Sequence, residues 1–272
     1  MQRFLVVTVL LLLVLSVACA GEDEVSETAL PVEGVPTTRS EEEVSPTPLP
    51  EVGEAETEEA PADPFAEERE HLIQTGIIGF GIEDPAVIQA MRNTPRHAFV
   101  PEEYLAQAYN NHPLPIGFGQ TISQPYIVAL MTEAAEIEAG DTVLEVGTGS
   151  GYQAAVLAEV AGHVYTVEII GALAERAEAT LEELGYDNVT VRNTDGYFGW
   201  PEHAPFDAIV VTAAPDHIPQ PLVEQLKEGG RMIIPVGPVG GYQTLWQVTK
   251  VGEDEIRTVD LGGVQFVPFT RE

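Results

Sequence analysis

Val143-Leu144-Glu145-Val146-Gly147-Thr148-Gly149-Ser150-Gly151-Tyr152 is the stretch whose reading decides the fold. It opens as a short apolar strand, turns through alternate glycines, and runs into Gln153-Ala154-Ala155-Val156-Leu157-Ala158, which has helical composition. A strand, a glycine turn and a helix in that order make a nucleotide-binding corner. Glycine lets a ligand approach the backbone, and a helix start carries N–H groups that lack intrahelical partners, so the corner is expected to offer free N–H donors. Further on, Val164-Tyr165-Thr166-Val167-Glu168 reads as a second strand ending in a carboxylate. An acid there can accept hydrogen bonds from both hydroxyls of a ribose.

The spacing argues against two other corners. A dinucleotide fingerprint needs G-x-G-x-x-G, whereas the glycines here are 147, 149 and 151, with Tyr at 152. A nucleophile elbow needs G-x-S-x-G, and Ser150 instead has glycine on both sides. Glu145 to Gly151 reads E-x-G-x-G-x-G and resembles the first motif of class I S-adenosylmethionine-dependent methyltransferases. A glycine-rich turn in an ordinary α/β protein is the competing reading.

A length of 272 residues accommodates one large domain or two small ones, and a hydrophobic content of 44% is enough for a core. The formal net charge is −32, from 44 acids against 12 bases. So acidic a chain repels nucleic acid, whose binding depends on neutralising phosphates, and no basic stripe relieves the repulsion. That argues against a DNA or RNA methyltransferase. Cys19 is the single cysteine, so no intrachain disulfide forms, and the six histidines are scattered without metal-ligand spacing. No metal is expected.

The N-terminus has the build of an export signal over residues 1–19. Arg3 supplies the positive start, Phe4 to Leu15 the apolar run, and Ser16-Val17-Ala18 the small residues before Cys19. The run is short for a membrane span. Leu15-Ser16-Val17-Ala18-Cys19 resembles a bacterial lipobox, with its leucine four residues before the cysteine rather than the usual three. The resemblance implies lipidation of Cys19, export and membrane attachment; if the signal is not used, the chain stays cytoplasmic. Residues 20–65, rich in Glu, Pro, Thr, Val and Ser, cannot bury enough apolar surface to offset chain entropy and read as a disordered acidic tether. The remainder, 66–272, is expected to be the folded domain.

Within it, Glu67 to Gln74 and Pro85 to Met91 read as helices, the second capped by Asp84. Pro95 to Pro101 reads as an extended link, and a helix runs from Pro125 through Glu136 to the central strand. After Glu168 come a helix over Leu173 to Leu184, a strand at Val189-Thr190-Val191, a strand from Phe206 to Thr212, and a helix from Pro221 to Leu226 stopped by Gly229-Gly230. Arg231 to Val236 is a fifth strand, and Gln243 to Lys250 with Ile256 to Leu261 form a hairpin. This alternation predicts an α/β fold: a doubly wound, mostly parallel Rossmann-like sheet with an antiparallel C-terminal edge hairpin.

Gly119-Gln120-Thr121-Ile122-Ser123-Gln124-Pro125-Tyr126 sharpens the resemblance. Together with Glu145 to Tyr152, Gly199-Trp200-Pro201, Leu226-Lys227-Glu228-Gly229-Gly230-Arg231, Pro235-Val236-Gly237 and Val264-Gln265-Phe266-Val267-Pro268, it is similar to the protein-L-isoaspartate O-methyltransferase family from about residue 68 onward. Thr194 stands where that family usually has glycine. The resemblance implies methyl transfer from S-adenosylmethionine to the free α-carboxylate of isoaspartyl residues in aged proteins and peptides. The ester then recloses to succinimide and some of it reopens as aspartate. Separately, a monomer is expected, though the sequence itself does not give the oligomeric state.

The resemblance also implies roles. Ser123 is the catalytic-site residue, and Thr121, Ile122, Val264 and Phe266 contact the acceptor. Glu145, Gly147, Thr148, Gly149, Ser150, Gly151, Glu168, Asp195 and Gly196 hold the cofactor, with Glu168 at the ribose and Asp195-Gly196 on the adenine side. Each has a plainer reading. The hydroxyls of Thr121 and Ser123 could cap the helix at Pro125; Glu168 could be a surface strand end, Asp195-Gly196 a turn, and 264–267 an edge strand. Two rival functions remain at this point: another small-acceptor methyltransferase on the same fold, and a non-catalytic surface lipoprotein that kept it.

Overall fold

The computed structural model describes residues 63–253 and 255–271. The expected export signal, Cys19 and nearly all of the expected tether lie outside the described residues. Helix α1 (Ala66–Leu72) continues into a π-helical turn at Ile73–Ile77. Helix α2 (Pro85–Asn93) starts as its sequence dictates: the Asp84 carboxylate accepts from the N–H groups of Ala86 and Val87 at 2.7 and 3.4 Å, and Pro85 takes the first position.

The link at 95–101 is not extended. Arg96–Phe99 forms a 3₁₀ turn because Arg96 and Phe99, three residues apart, are both buried on one side of it. The Arg96 Nε donates to the Ala108 carbonyl at 2.8 Å, and its guanidinium lies 4.8 Å from the Tyr152 ring centre. Next, β1 (Leu114–Gly117) and β2 (Gln120–Ile122) form a small hairpin. Its tip is Phe118-Gly119, with φ of 53° and 72°. Helix α3 (Pro125–Ala135) follows.

The main sheet is centred on β3 (Thr142–Val146), which is parallel to β4 (His163–Glu168) on one side and to β6 (Phe206–Val211) on the other. Outside these lie β5 (Val189–Asn193) against β4 and β7 (Leu226–Val236) against β6, also parallel. The antiparallel β8 (Gln243–Gly252) and β9 (Glu255–Val264) complete the order β5-β4-β3-β6-β7-β8-β9. Strand β7 begins before the Gly229-Gly230 pair rather than after it. Gly229 adopts φ +81°, and the pairing with β6 jumps from Phe206↔Leu226 to Ala208↔Arg231, so the glycines form a bulge within the strand.

Parallel strands covered on both faces are apolar over most of their length. Val143, Val164, Ala208 and Ile233 pack with α1–α3, α4 (Tyr152–Ala158) and α5 (Gly171–Glu183). Leu144, Val167, Ile209 and Met232 pack against the other layer, which is thinner: α6 (Gln220–Glu224) and Trp200. The fold is therefore doubly wound. Connections leave β3 toward β4 on one side, and β6 lies on its other side. The strand order reverses there, and a crevice opens at the carboxyl ends of β3, β4 and β6.

Candidate active site

At that crevice β3 delivers Glu145 and Val146, β4 delivers Val167 and Glu168, and Thr212 follows β6; all of them line one cavity. The glycine loop crosses it with Gly147, Gly149 and Gly151 at φ of +102°, +55° and +90°. A side chain at Gly147 would place its Cβ 2.5 Å from the Thr212 hydroxyl oxygen, so the loop needs glycine there for space as well as for conformation. The Thr212 hydroxyl lies 2.6 Å from the Gly147 carbonyl, to which it donates.

Most of the loop N–H groups are not the free donors expected; that of Ser150 alone in the loop has no acceptor among the described residues. Those of Gly147 and Thr148 donate to the Val167 carbonyl, that of Gly151 to the Thr148 carbonyl, and that of Tyr152 to the Ser150 hydroxyl. The Gly149 N–H donates to Glu168 Oε2 at 2.8 Å. The chain uses these groups to hold its own turn.

Glu168 is buried, and its Oε1 accepts from the Ile170 N–H at 2.9 Å. Each carboxylate oxygen has capacity for a further hydrogen bond. Glu145 is fully buried beside it. Its Oε2 accepts from the Thr166 hydroxyl at 2.5 Å, which in turn lies 2.6 Å from the Thr148 hydroxyl oxygen. Its Oε1 has no partner among the described residues. Burial first, and then the neighbouring Glu168 charge, push the Glu145 carboxyl up from 4.5 to about 8, against the opposing pull of the Thr166 bond.

Thr121 and Ile122, in β2, and Ser123, which follows it, reach the same cavity. Neither hydroxyl caps α3: its N-cap is Gln124, with no side-chain cap bond. Neither makes a hydrogen bond with another described residue. A second groove, lined by Tyr242 and by Gly263 to Val267, shares Thr121, Ser123, Thr212 and Val267 with the first cavity. Among the described residues no Asp, Glu, Lys or Arg lines this second groove, in a chain whose net charge is −32.

The family model for protein-L-isoaspartate(D-aspartate) O-methyltransferase (PCMT) matches residues 67–272. The chain belongs to this family. Protein-L-isoaspartate O-methyltransferases of Opitutus terrae and Gloeobacter violaceus are 57% and 60% identical to it over 206 and 194 residues. These matches cover 75% and 71% of this chain and 88% and 93% of the relatives. Among solved structures, a protein-L-isoaspartate O-methyltransferase superposes with a TM-score of 0.68 at 32% identity, covering 74% of this chain and 65% of that one. A Plasmodium falciparum beta-aspartate methyltransferase (PCMT) in complex with S-adenosyl-L-homocysteine gives 0.65 at 26% identity, covering 76% and 98%.

Of the PCMT site residues expected from sequence, Glu145, Gly147, Thr148, Gly149, Ser150, Glu168 and Gly196 line the first cavity with Thr121, Ile122 and Ser123. Gly196 is held against the sheet, where a Cβ would meet Val146 Cγ1 at 2.5 Å. Gly151 packs instead against α5, where a Cβ would meet Ala177 and Leu181 at 3.4 Å. Asp195 does not line the cavity. Its Oδ1 accepts from the Tyr197 N–H, and its Oδ2 takes two bonds from Arg271 at 3.1 Å. Val264 pairs with Gln243 in the sheet, and the Phe266 N–H donates to Gln243 Oε1, so part of the 264–267 backbone is already engaged.

Sequence reasoning missed Gln153, Thr212 and Ile170 in the first cavity and Tyr242 in the second groove. Thr212 had a readable signal, as the polar residue ending an apolar strand beside the glycine strand. Among the described residues no group of three or more His, Cys, Asp or Glu is placed to hold a metal ion.

Proposed function

We propose that this chain transfers a methyl group from S-adenosylmethionine to the free α-carboxylate of L-isoaspartyl residues in damaged proteins and peptides. One observation carries the reading beyond membership of the family: Thr121 and Ser123, whose hydroxyls have no partner among the described residues, stand where the two cavities meet.

The first cavity fits the cofactor. Gly147 and Gly196 line it, packed so close to Thr212 and Val146 that neither position has room for a Cβ, the Glu168 carboxylate stands on its wall, and Glu145 Oε1 is a buried oxygen without a partner among the described residues. Glu168 would take the ribose hydroxyls, and the glycine loop would lie against the nucleoside. S-adenosylmethionine, when bound, supplies a methyl group already activated on sulfur.

The acceptor carboxylate is ionised at neutral pH and needs no general base. The work left to the protein is alignment. The hydroxyls of Ser123 and Thr121 donate to the carboxylate and hold one of its oxygens facing the first cavity, while the uncharged groove takes the flanking peptide. The test is methyl transfer to an isoaspartyl peptide and to its aspartyl twin. Labelling of the isoaspartyl form alone is expected. Equal labelling of both would leave a methyltransferase of another specificity, and binding of the cofactor without transfer would leave a non-catalytic protein.

We also infer that the chain acts as a monomer, exported and attached to a membrane through lipidated Cys19, with residues 20–65 as spacer. The apolar run, the small residues after it and the lone cysteine that follows support the anchor. Fatty-acid labelling in a bacterial host should be lost in Cys19→Ala; label retained by that variant sinks the anchor. A mass near 29.3 kDa in light scattering is expected of the monomeric unprocessed chain, residues 1–272.

A further inference from the structure

Gln243 opens β8 and is buried, and its side-chain amide joins two segments that lie on either side of it in sequence. Its Oε1 accepts from the Phe266 N–H at 2.8 Å. Its Nε2 donates to the carbonyls of Gly241 and Pro238, at 2.8 and 3.1 Å. The first segment is the 264–267 strip of the acceptor groove, and the second is the β7–β8 loop, which carries Tyr242 into the same groove. Tyr242 is 82% exposed, so its position depends on the loop rather than on packing around its ring.

The rest of the surround is backbone. The Ala214 N–H donates to the Val267 carbonyl, and the Gly237 N–H donates to the Pro215 carbonyl. Gly237 is packed so closely that a Cβ there would lie 2.9 Å from Gln243 Cα. Gln243 thus provides a side-chain link between loop and strip, and three bonds on one amide leave little slack.

We propose that Gln243 is a positioning residue for the acceptor, holding the Tyr242 loop and the 264–267 strip as one groove lining. It touches neither the first cavity nor the reacting carboxylate. This inference rests on reading the second groove as the acceptor site. Its signature is selective: the peptide KM depends on Gln243, while kcat and cofactor affinity do not.

The full chain carrying Gln243→Leu, which keeps volume and removes all three bonds, should raise KM for an isoaspartyl peptide about tenfold or more, with kcat and S-adenosylhomocysteine affinity by calorimetry within about twofold. Gln243→Glu keeps an acceptor for the Phe266 N–H but sets a carboxylate oxygen against two carbonyls. Its KM defect should therefore shrink, relative to wild type, as pH falls from about 8 to about 6 and the buried acid takes up a proton it can donate. An unchanged KM in Gln243→Leu, or cofactor affinity falling in parallel with KM, overturns the proposal. Hydrogen exchange on the wild-type chain decides independently of how well the variants fold. The Phe266 amide should exchange slowly, and fast exchange there also overturns the proposal. A wild-type chain that transfers no methyl to the peptide refutes the acceptor reading itself, and the exchange result still judges the Gln243 link.

Discussion

At the scale of single residues, Ser123 separates alignment from stability. Its hydroxyl is not used to cap α3, so Ser123→Ala removes no fold contact seen among the described residues. It should lower turnover by about tenfold to a hundredfold, matching the ~1.5–3 kcal/mol of one hydrogen bond to a charged group formed fully only in the transition state. Cofactor affinity and melting temperature should stay near wild type; a lowered melting temperature with normal turnover per folded molecule would refute the assignment. Glu145 gives a pH signature. Its carboxyl keeps its proton to about 8 when folded, against an ordinary value of 4.5. Across that interval the folded chain binds more protons than the unfolded one, so this residue's contribution is full at low pH, declines as pH rises through the interval, and levels off above it. Glu145→Gln cannot ionise and should flatten that decline. Thermal melts of both proteins across the interval check this, and parallel profiles would mean Glu145 is ionised when folded.

At the scale of elements, the glycine loop works as one piece because Glu168 ties it to β4. Glu168→Ala removes a charged acceptor from the cavity and also releases the Gly149 and Ile170 N–H groups. Cofactor binding should weaken by about 1–3 kcal/mol in calorimetry while far-ultraviolet circular dichroism keeps its sheet and helix signal. Unchanged affinity would place the nucleoside away from Glu168. Strands β3, β4 and β6 were legible in the sequence because strands buried on both faces are apolar runs, and α2 because Asp84-Pro85 is a local start signal. The β1–β2 hairpin was not legible. Pro115 and Gly117 spoil any strand pattern, and what holds these residues extended is pairing across the turn, such as Leu114↔Ile122. The Arg96–Phe99 turn was hidden for a related reason: flanking prolines read as extended chain, while burial of Arg96 and Phe99 against other elements decided the outcome.

At the scale of the whole molecule, the family match begins at residue 67, and α1 begins at Ala66. A chain starting at residue 63 should therefore be soluble and as active per molecule as the full chain in the isoaspartyl peptide assay. Lost helicity together with lost activity would show that the first 62 residues belong to the fold. Sequence alone determined the sheet's central strands, the glycine corner and the kind of ligand it suits, since local composition and spacing carry that information. Tertiary structure decided the rest. It turned most of the loop's N–H groups inward, paired Asp195 with Arg271, brought Thr212 against Gly147, and set Gln243 between the Tyr242 loop and Phe266. The contacts Asp195–Arg271, Thr212–Gly147 and Gln243–Phe266 join residues far apart in the chain, and a hydrogen bond's partner is chosen by distance in space, which no local pattern records.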